Sequence, residues 1–283
     1  MSSDARLPKS TTVAVSPVVG LRVIRRYGGS GLPFLLVHGL ASNARLWDGV
    51  AKRLAAAGHD SAAVDLRGHG ESSQVATGYD WATLTTDLAK VLDHLGWDRV
   101  IAAGQSWGAN VTLELAANHP ERVAAISLID GGFLRLRDGL PDWEEARRRL
   151  APPSFSGMTM ESMGAAMRSH LQGFPEEAIE AQLANLTVDE NGSVRNRLSL
   201  ENHLAILRQL WEHDPDTVGA TVCTPTLVVA VSDGSTSKTA RVAAFAAATD
   251  ADVEWLDGHH DVHAQRPERV TELLLALADR VAS

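Results

Sequence analysis

Short apolar runs of strand length alternate along the chain with longer stretches whose apolar residues fall three and four apart. Residues 12–15 and 21–27 are separated by Pro17 and Gly20, the pattern of an opening antiparallel pair. "PFLLVHG", beginning at Pro33, is almost continuously apolar and suits a parallel strand covered on both faces. Residues 45–57 have helical spacing and stop at Gly58. "SAAVDL", 81–95, "RVIAAGQ", 109–118 and "VAAISLID" then read strand, helix, strand, helix, strand. Further on, "PTLVVAVSD", 238–248, "DVEWLD" and 267–281 resume strand, helix, strand, helix. This alternation predicts an α/β fold in which helices wrap both faces of a parallel sheet. Sites in such sheets lie at the carboxyl ends of the strands.

The stretch between these two series, 133–217, lacks a comparable buried strand and has helical periodicity at 143–150, 158–171, 175–186 and 200–212. It predicts a helical cap inserted into a core formed by 1–132 and 218–283. A cap over the strand ends would exclude water from chemistry beneath it. The plainer alternative is a helical decoration without a gating role.

Composition narrows the classes. At 283 residues, 45% hydrophobic and 22% charged, the chain matches a globular protein large enough for a substantial core. A net charge of −9 weighs against nucleic acid or an anionic membrane as partner and leaves a small-molecule substrate. The lone cysteine, Cys223, forms no disulfide framework and no cysteine zinc site. The opening 17 residues lack the apolar core of a secretory signal, and the uncharged stretch 100–113 is interrupted by Gly104, Gln105, Gly108 and Asn110. A cytoplasmic protein is the expectation.

Candidate chemistry begins at "GQSWG", residues 104–108, which places Ser106 between glycines with a strand before it and a helix after it. A tight strand-to-helix turn holds the serine in a strained conformation, and the following helix directs free N–H groups toward it. An ordinary turn serine is the alternative. A nucleophilic serine needs a neighbouring base. Of the 11 histidines, His94 and His119 sit near helix ends, whereas His259, His260 and His263 lie in "DGHHDVHAQRP", between the last strand and the last helix. That loop emerges at the same sheet edge as Ser106; a metal patch or a solvated loop is the competing reading. The base needs an orienting acid, and two aspartates end strands in suitable places, Asp233 and Asp130. The residues themselves do not separate these two. The N–H of Trp107 and that of Leu40, in "VHGLASN", are the expected oxyanion donors. Trp143 and Trp211 are candidates to line a substrate pocket, or else anchors of cap helices. Asp65 and Arg67 read as residues that fix their loop.

With "LLVHGLASNARLW", "VDLRGHGESS", "GQSWGANVTLELA", "PTLVVAVSD" and "HHDVHAQRPERV" in view, the chain resembles the α/β-hydrolase superfamily over nearly its whole length. The resemblance implies an eight-stranded, mostly parallel sheet with a helical cap, a nucleophile at Ser106, and no cofactor. It places the histidine at His260, seven positions before Pro267, although His259 stands where the family often has glycine. It favours Asp233 as the acid, since the family's acid usually follows the strand matching "PTLVVAVSD". The family's usual turn is shortened here, and some members use the preceding strand, where Asp130 stands. Epoxide hydrolases and haloalkane dehalogenases of this fold use an aspartate nucleophile, so a serine at 106 implies acyl chemistry on an ester or lactone. Carbon–carbon hydrolases, lyases, cyclases, oxygenases and ligand sensors on the same scaffold are the alternatives.

Overall fold

A computed structural model of the protein describes residues 7–155 and 157–282. The first part of the core runs β1 (Lys9–Ser16), β2 (Val19–Arg26), β3 (Gly31–Val37), α1 (Asp48–Ala56), β4 (His59–Val64), α2 (Trp81–Leu95), β5 (Val100–Gln105), α3 (Trp107–Asn118) and β6 (Val123–Ile129). Next come the cap elements, α4 (Leu136–Gly139), α5 (Trp143–Arg149), α6 (Met160–His170), α7 (Glu176–Leu183), β7 (Leu186–Val188), β8 (Val194–Asn196) and α8 (Leu200–Glu212). The chain then returns through α9 (Pro215–Gly219), β9 (Thr226–Val231), α10 (Thr236–Thr249), β10 (Asp252–Leu256), α11 (Val262–Gln265) and α12 (Pro267–Ala282).

Eight strands form one sheet in the order β1-β2-β4-β3-β5-β6-β9-β10. Only β2 departs from the parallel arrangement, pairing antiparallel with β1 and with β4. In β1 and β2, Val13, Val15, Val19, Leu21 and Val23 turn inward in alternation. The central strands instead bury every position, as in β5, β6 and β9. The cause is a helical layer on each face. α1 and α12 pack one side, with Val270, Leu274 and Leu277 at helical spacing, while α2, α3 and α10 cover the other.

Element boundaries follow local chemistry. Asp80 caps α2 by accepting from the Thr83 N–H at 2.9 Å, and Gly96 ends it in the left-handed conformation at φ 67°. Pro267 opens α12. The inserted segment contains two features absent from the sequence expectation, the short helix α4 and the two-stranded hairpin β7–β8. Its strands are three residues each, too short to leave an alternating pattern.

Polar contacts tie the segment inserted between β6 and β9 to loops that follow other strands. Asn43, after β3, donates to the Ala181 carbonyl at 2.7 Å; Gln182 of α7 donates to Asp261, after β10, at 2.8 Å. Asn202 of α8 donates to the Val75 carbonyl at 2.9 Å. No helix among the described residues is long and apolar enough to cross a membrane.

Candidate active site

β3, β5 and β6 are neighbours in register at the middle of the sheet, with Val37 opposite Gly104 and Gln105 opposite Ile129. Their following loops therefore meet at one point. The tightest is the turn from β5 into α3, where Ser106 holds φ 54° and ψ −121°, a conformation that side-chain-bearing residues rarely take. Its N–H donates to the Ile129 carbonyl at 2.9 Å and its carbonyl accepts from the Ala109 N–H at 3.0 Å. Close approach explains the flanking glycines. A methyl on Gly104 would collide with the Gly108 carbonyl, and one on Gly108 with the His38 carbonyl.

The loop after β3 is braced by two buried histidines. His38 donates from Nδ1 to the Gly39 carbonyl at 2.7 Å and accepts the Leu66 N–H on Nε2 at 3.0 Å. His69 accepts the Ala41 N–H at 3.2 Å and stacks on Trp107, centroids 5.3 Å apart. Burial holds both imidazoles far below the usual histidine range, to about 4 for His38 and about 3 for His69. Both are neutral props. They fix Ala41, at φ 56°, and with it the turn carrying Leu40. The Trp107 N–H, at the first position of α3, lies beyond the reach of intrahelical acceptors. Asp65 accepts the Ala44 and Glu71 N–H groups, and Arg67 pairs with buried Asp87 at 2.7 Å, so both secure their loop.

The acid expected at Asp233 is corrected by the geometry. His260 Nδ1 lies 2.6 Å from Oδ2 of Asp130, at the end of β6. Asp233 is exposed and its carboxylate accepts the Ser235 N–H at 2.8 Å, which makes it a turn residue ahead of α10. The reason is local: the short turn after β9 commits the Asp233 carboxylate to a neighbouring backbone N–H, whereas Asp130, leaving β6, presents Oδ2 to the ring. Asp130 itself sits at φ 44°, its N–H given to the Val229 carbonyl at 2.8 Å. Its Oδ1 accepts the Val231 N–H at 3.0 Å and the Lys238 ammonium at 2.8 Å.

Other contacts draw the His260 loop toward Ser106. Gln105, immediately before the serine, donates from Nε2 to the His260 carbonyl at 3.0 Å. Gly131, immediately after Asp130, packs so close that an added methyl would strike the Ser106 backbone. Burial alone would lower the His260 imidazole. The Asp130 hydrogen bond and the Asp261 charge outweigh it and raise its affinity for a proton. Burial pushes the Asp130 carboxyl up, but hydrogen bonds from His260, Lys238 and Val231 outweigh that and hold it below the ordinary range.

The three histidines of this loop divide their tasks. His259 meets Phe174 and His170 of the cap edge-on, and His263 is fully buried against Trp47, centroids 4.4 Å apart. Among the described residues, no three His, Cys, Asp or Glu side chains gather in a metal-binding arrangement. Trp143 and Trp211 pack on each other with centroids 5.7 Å apart, and the Trp211 indole donates to the Leu140 carbonyl. Neither borders the hollow of about 1010 Å³ beside His260; they pack within the inserted helices. Leu136, Leu140 and Leu150 of the cap wall that hollow instead. Sequence reasoning missed Gln105 and Lys238. Gln105 occupied an open position of the serine motif, and Lys238 carried no pattern at all.

A family model described as alpha/beta hydrolase fold matches residues 33–247. The chain belongs to the α/β-hydrolase fold family. Over 183 residues it is 31% identical to epoxide hydrolase A of Mycobacterium tuberculosis, covering 64% of this chain and 56% of that protein. It is 32% identical to lipase LipV of the same organism over 166 residues, 54% of this chain and 62% of the lipase. The chain thus spans less than two thirds of the length of either curated relative. The solved structure of E-2-(acetamidomethylene)succinate hydrolase overlays with a TM-score of 0.78 at 25% identity, over 96% of this α/β-hydrolase and 100% of that chain.

Proposed function

We propose that the chain is a cofactor-independent serine hydrolase that cleaves a small carboxylic ester or lactone through an acyl-enzyme. The observation that carries this reading is the 2.6 Å pair of His260 Nδ1 with buried Asp130, anchored beside a serine in a strained strand-to-helix turn. Asp130 fixes the tautomer in which Nδ1 bears hydrogen, leaving Nε2 as the basic nitrogen. His260 takes the Ser106 proton as Oγ attacks the substrate carbonyl carbon. The Leu40 and Trp107 N–H groups receive the resulting oxyanion, a contribution worth about 3–4 kcal/mol of barrier per donor. His260 then protonates the departing alcohol, and the same imidazole activates water to release the acid.

Support from the relatives is at the level of class: two are named as hydrolases and one as a lipase. The serine at 106 separates this chemistry from the aspartate-nucleophile route of epoxide hydrolases in the fold. The test pairs turnover of p-nitrophenyl butyrate with covalent labelling by a fluorophosphonate. Wild type is expected to be labelled and active, and Ser106→Ala unlabelled and inactive. His260→Ala is expected to fall by at least about a hundredfold. Labelling that persists in Ser106→Ala would sink the assignment.

A further inference from the structure

Asp130 has one more cation than the relay requires. A carboxylate that orients an imidazole needs a partner on one oxygen and restraint on the other, and the Val231 N–H supplies restraint at 3.0 Å. Yet the Lys238 ammonium also binds Oδ1, at 2.8 Å, with 14% of its side chain exposed and 5% of Asp130's. The position of this lysine is electrostatically unfavourable for its own helix. Ser235 caps α10 by accepting the Lys238 N–H, which puts Lys238 in the first turn, where the helix end is already positive. Its burial and its placement both make sense through Asp130.

We propose that Lys238 is a positioning residue that pins Oδ1 of Asp130 and, by sharing that carboxylate's charge, keeps His260 neutral further into the acid range. The proposal rests on the reading of His260 and Asp130 as base and acid. A carboxylate held by two cations attracts each less than it would attract one, and the ammonium repels the imidazolium directly. The other groups facing His260 act in known directions. Asp261 on its own loop favours its protonation, whereas His263 beside it is buried and neutral. Across the bordering hollow stand Asp138, Asp233, Arg135, Arg149 and Arg241; Arg149 pairs with Glu145, Arg241 with Asp216, and Arg135 with Asp138, Asp214 and Asp216. Lys238 is the cation hydrogen-bonded to the acid itself.

The experiment follows the His260 ring resonance of ¹³C-histidine-labelled full-length protein through a pH titration. Wild type, Lys238→Met, Lys238→Gln and Lys238→Arg are compared, with kcat/KM for p-nitrophenyl butyrate measured over the same range. In the Met and Gln variants the His260 midpoint is expected to rise by about one pH unit, and the acidic limb of kcat/KM with it. Lys238→Arg, which keeps the charge, should stay within roughly 0.3 unit of wild type. A merely structural donor predicts that Gln behaves like Lys, and that result overturns the proposal, as does an unmoved midpoint in Met. If Met fails to fold, Gln and Arg decide between charge and hydrogen bonding. Absence of fluorophosphonate labelling with a shifted midpoint would remove the hydrolase reading and leave the Lys238 coupling standing.

Discussion

At the residue scale, what distinguishes this site is that two aspartates end neighbouring strands at the same sheet edge and only one touches the imidazole. Asp130→Asn is therefore expected to lower kcat/KM by about 10³-fold or more, because the tautomer of His260 is no longer held. Asp233→Asn should leave activity within about twofold and cost no more than about 1 kcal/mol of stability, as a turn residue would. Ester turnover and a urea titration of both variants check this contrast. The turn at Ser106 was legible because close backbone approach requires glycine at 104 and 108, and that demand is written within five letters. His260 was legible through its fixed distance from Pro267. The choice between the two aspartates was not, since both end strands at that edge and only the folded loops show which carboxylate meets the ring.

At the element scale, α3 links chemistry to cap. Its first residue follows Ser106, and its third turn carries Glu114, which accepts from His213 Nε2 at 2.9 Å just past α8. Asn110, one turn earlier, lies 3.0 Å from His213 Nδ1, and Trp81 packs against the same ring. This buried link fastens the end of the inserted helices to the helix that follows Ser106. Glu114→Ala is expected to destabilise the fold by about 2 kcal/mol, since it strands a buried ring donor. The reading is the midpoint of urea unfolding, with turnover measured on the folded fraction. The long helices were readable from periodicity and caps, α2 and α8 most clearly. The hairpin β7–β8 was not, because three residues cannot establish a period.

At the scale of the whole molecule, buried neutral histidines set the response to acid. His38, His69 and His263 are lowered by burial to about 4, about 3 and about 4. Each accepts a proton more readily when the chain is unfolded, so the unfolded state binds more protons below the ordinary histidine value near 6.5. Stability is therefore fully present above that value and declines as pH falls toward about 4. For His263 burial outweighs the Asp261 charge, and among the described residues neither ring nitrogen has a hydrogen-bond partner. His263→Phe, which keeps a ring against Trp47, should flatten the fall in Tm between pH 6.5 and 4.5 and leave Tm at pH 7.5 unchanged or higher. Differential scanning calorimetry across that range measures both.

One consequence for protein engineering comes from where the polypeptide departs into its inserted helices. Asp130, which bonds His260, Gly131, which abuts Ser106, and Phe133, whose carbonyl accepts from Arg241, all lie within the first four residues out of β6. Swapping the insertion for that of a relative, the obvious route to a new substrate range, must therefore splice downstream of Phe133. A chimera joined at Asp130 or Gly131 would exchange the inserted helices and disturb the Asp130–His260 hydrogen bond in the same cut.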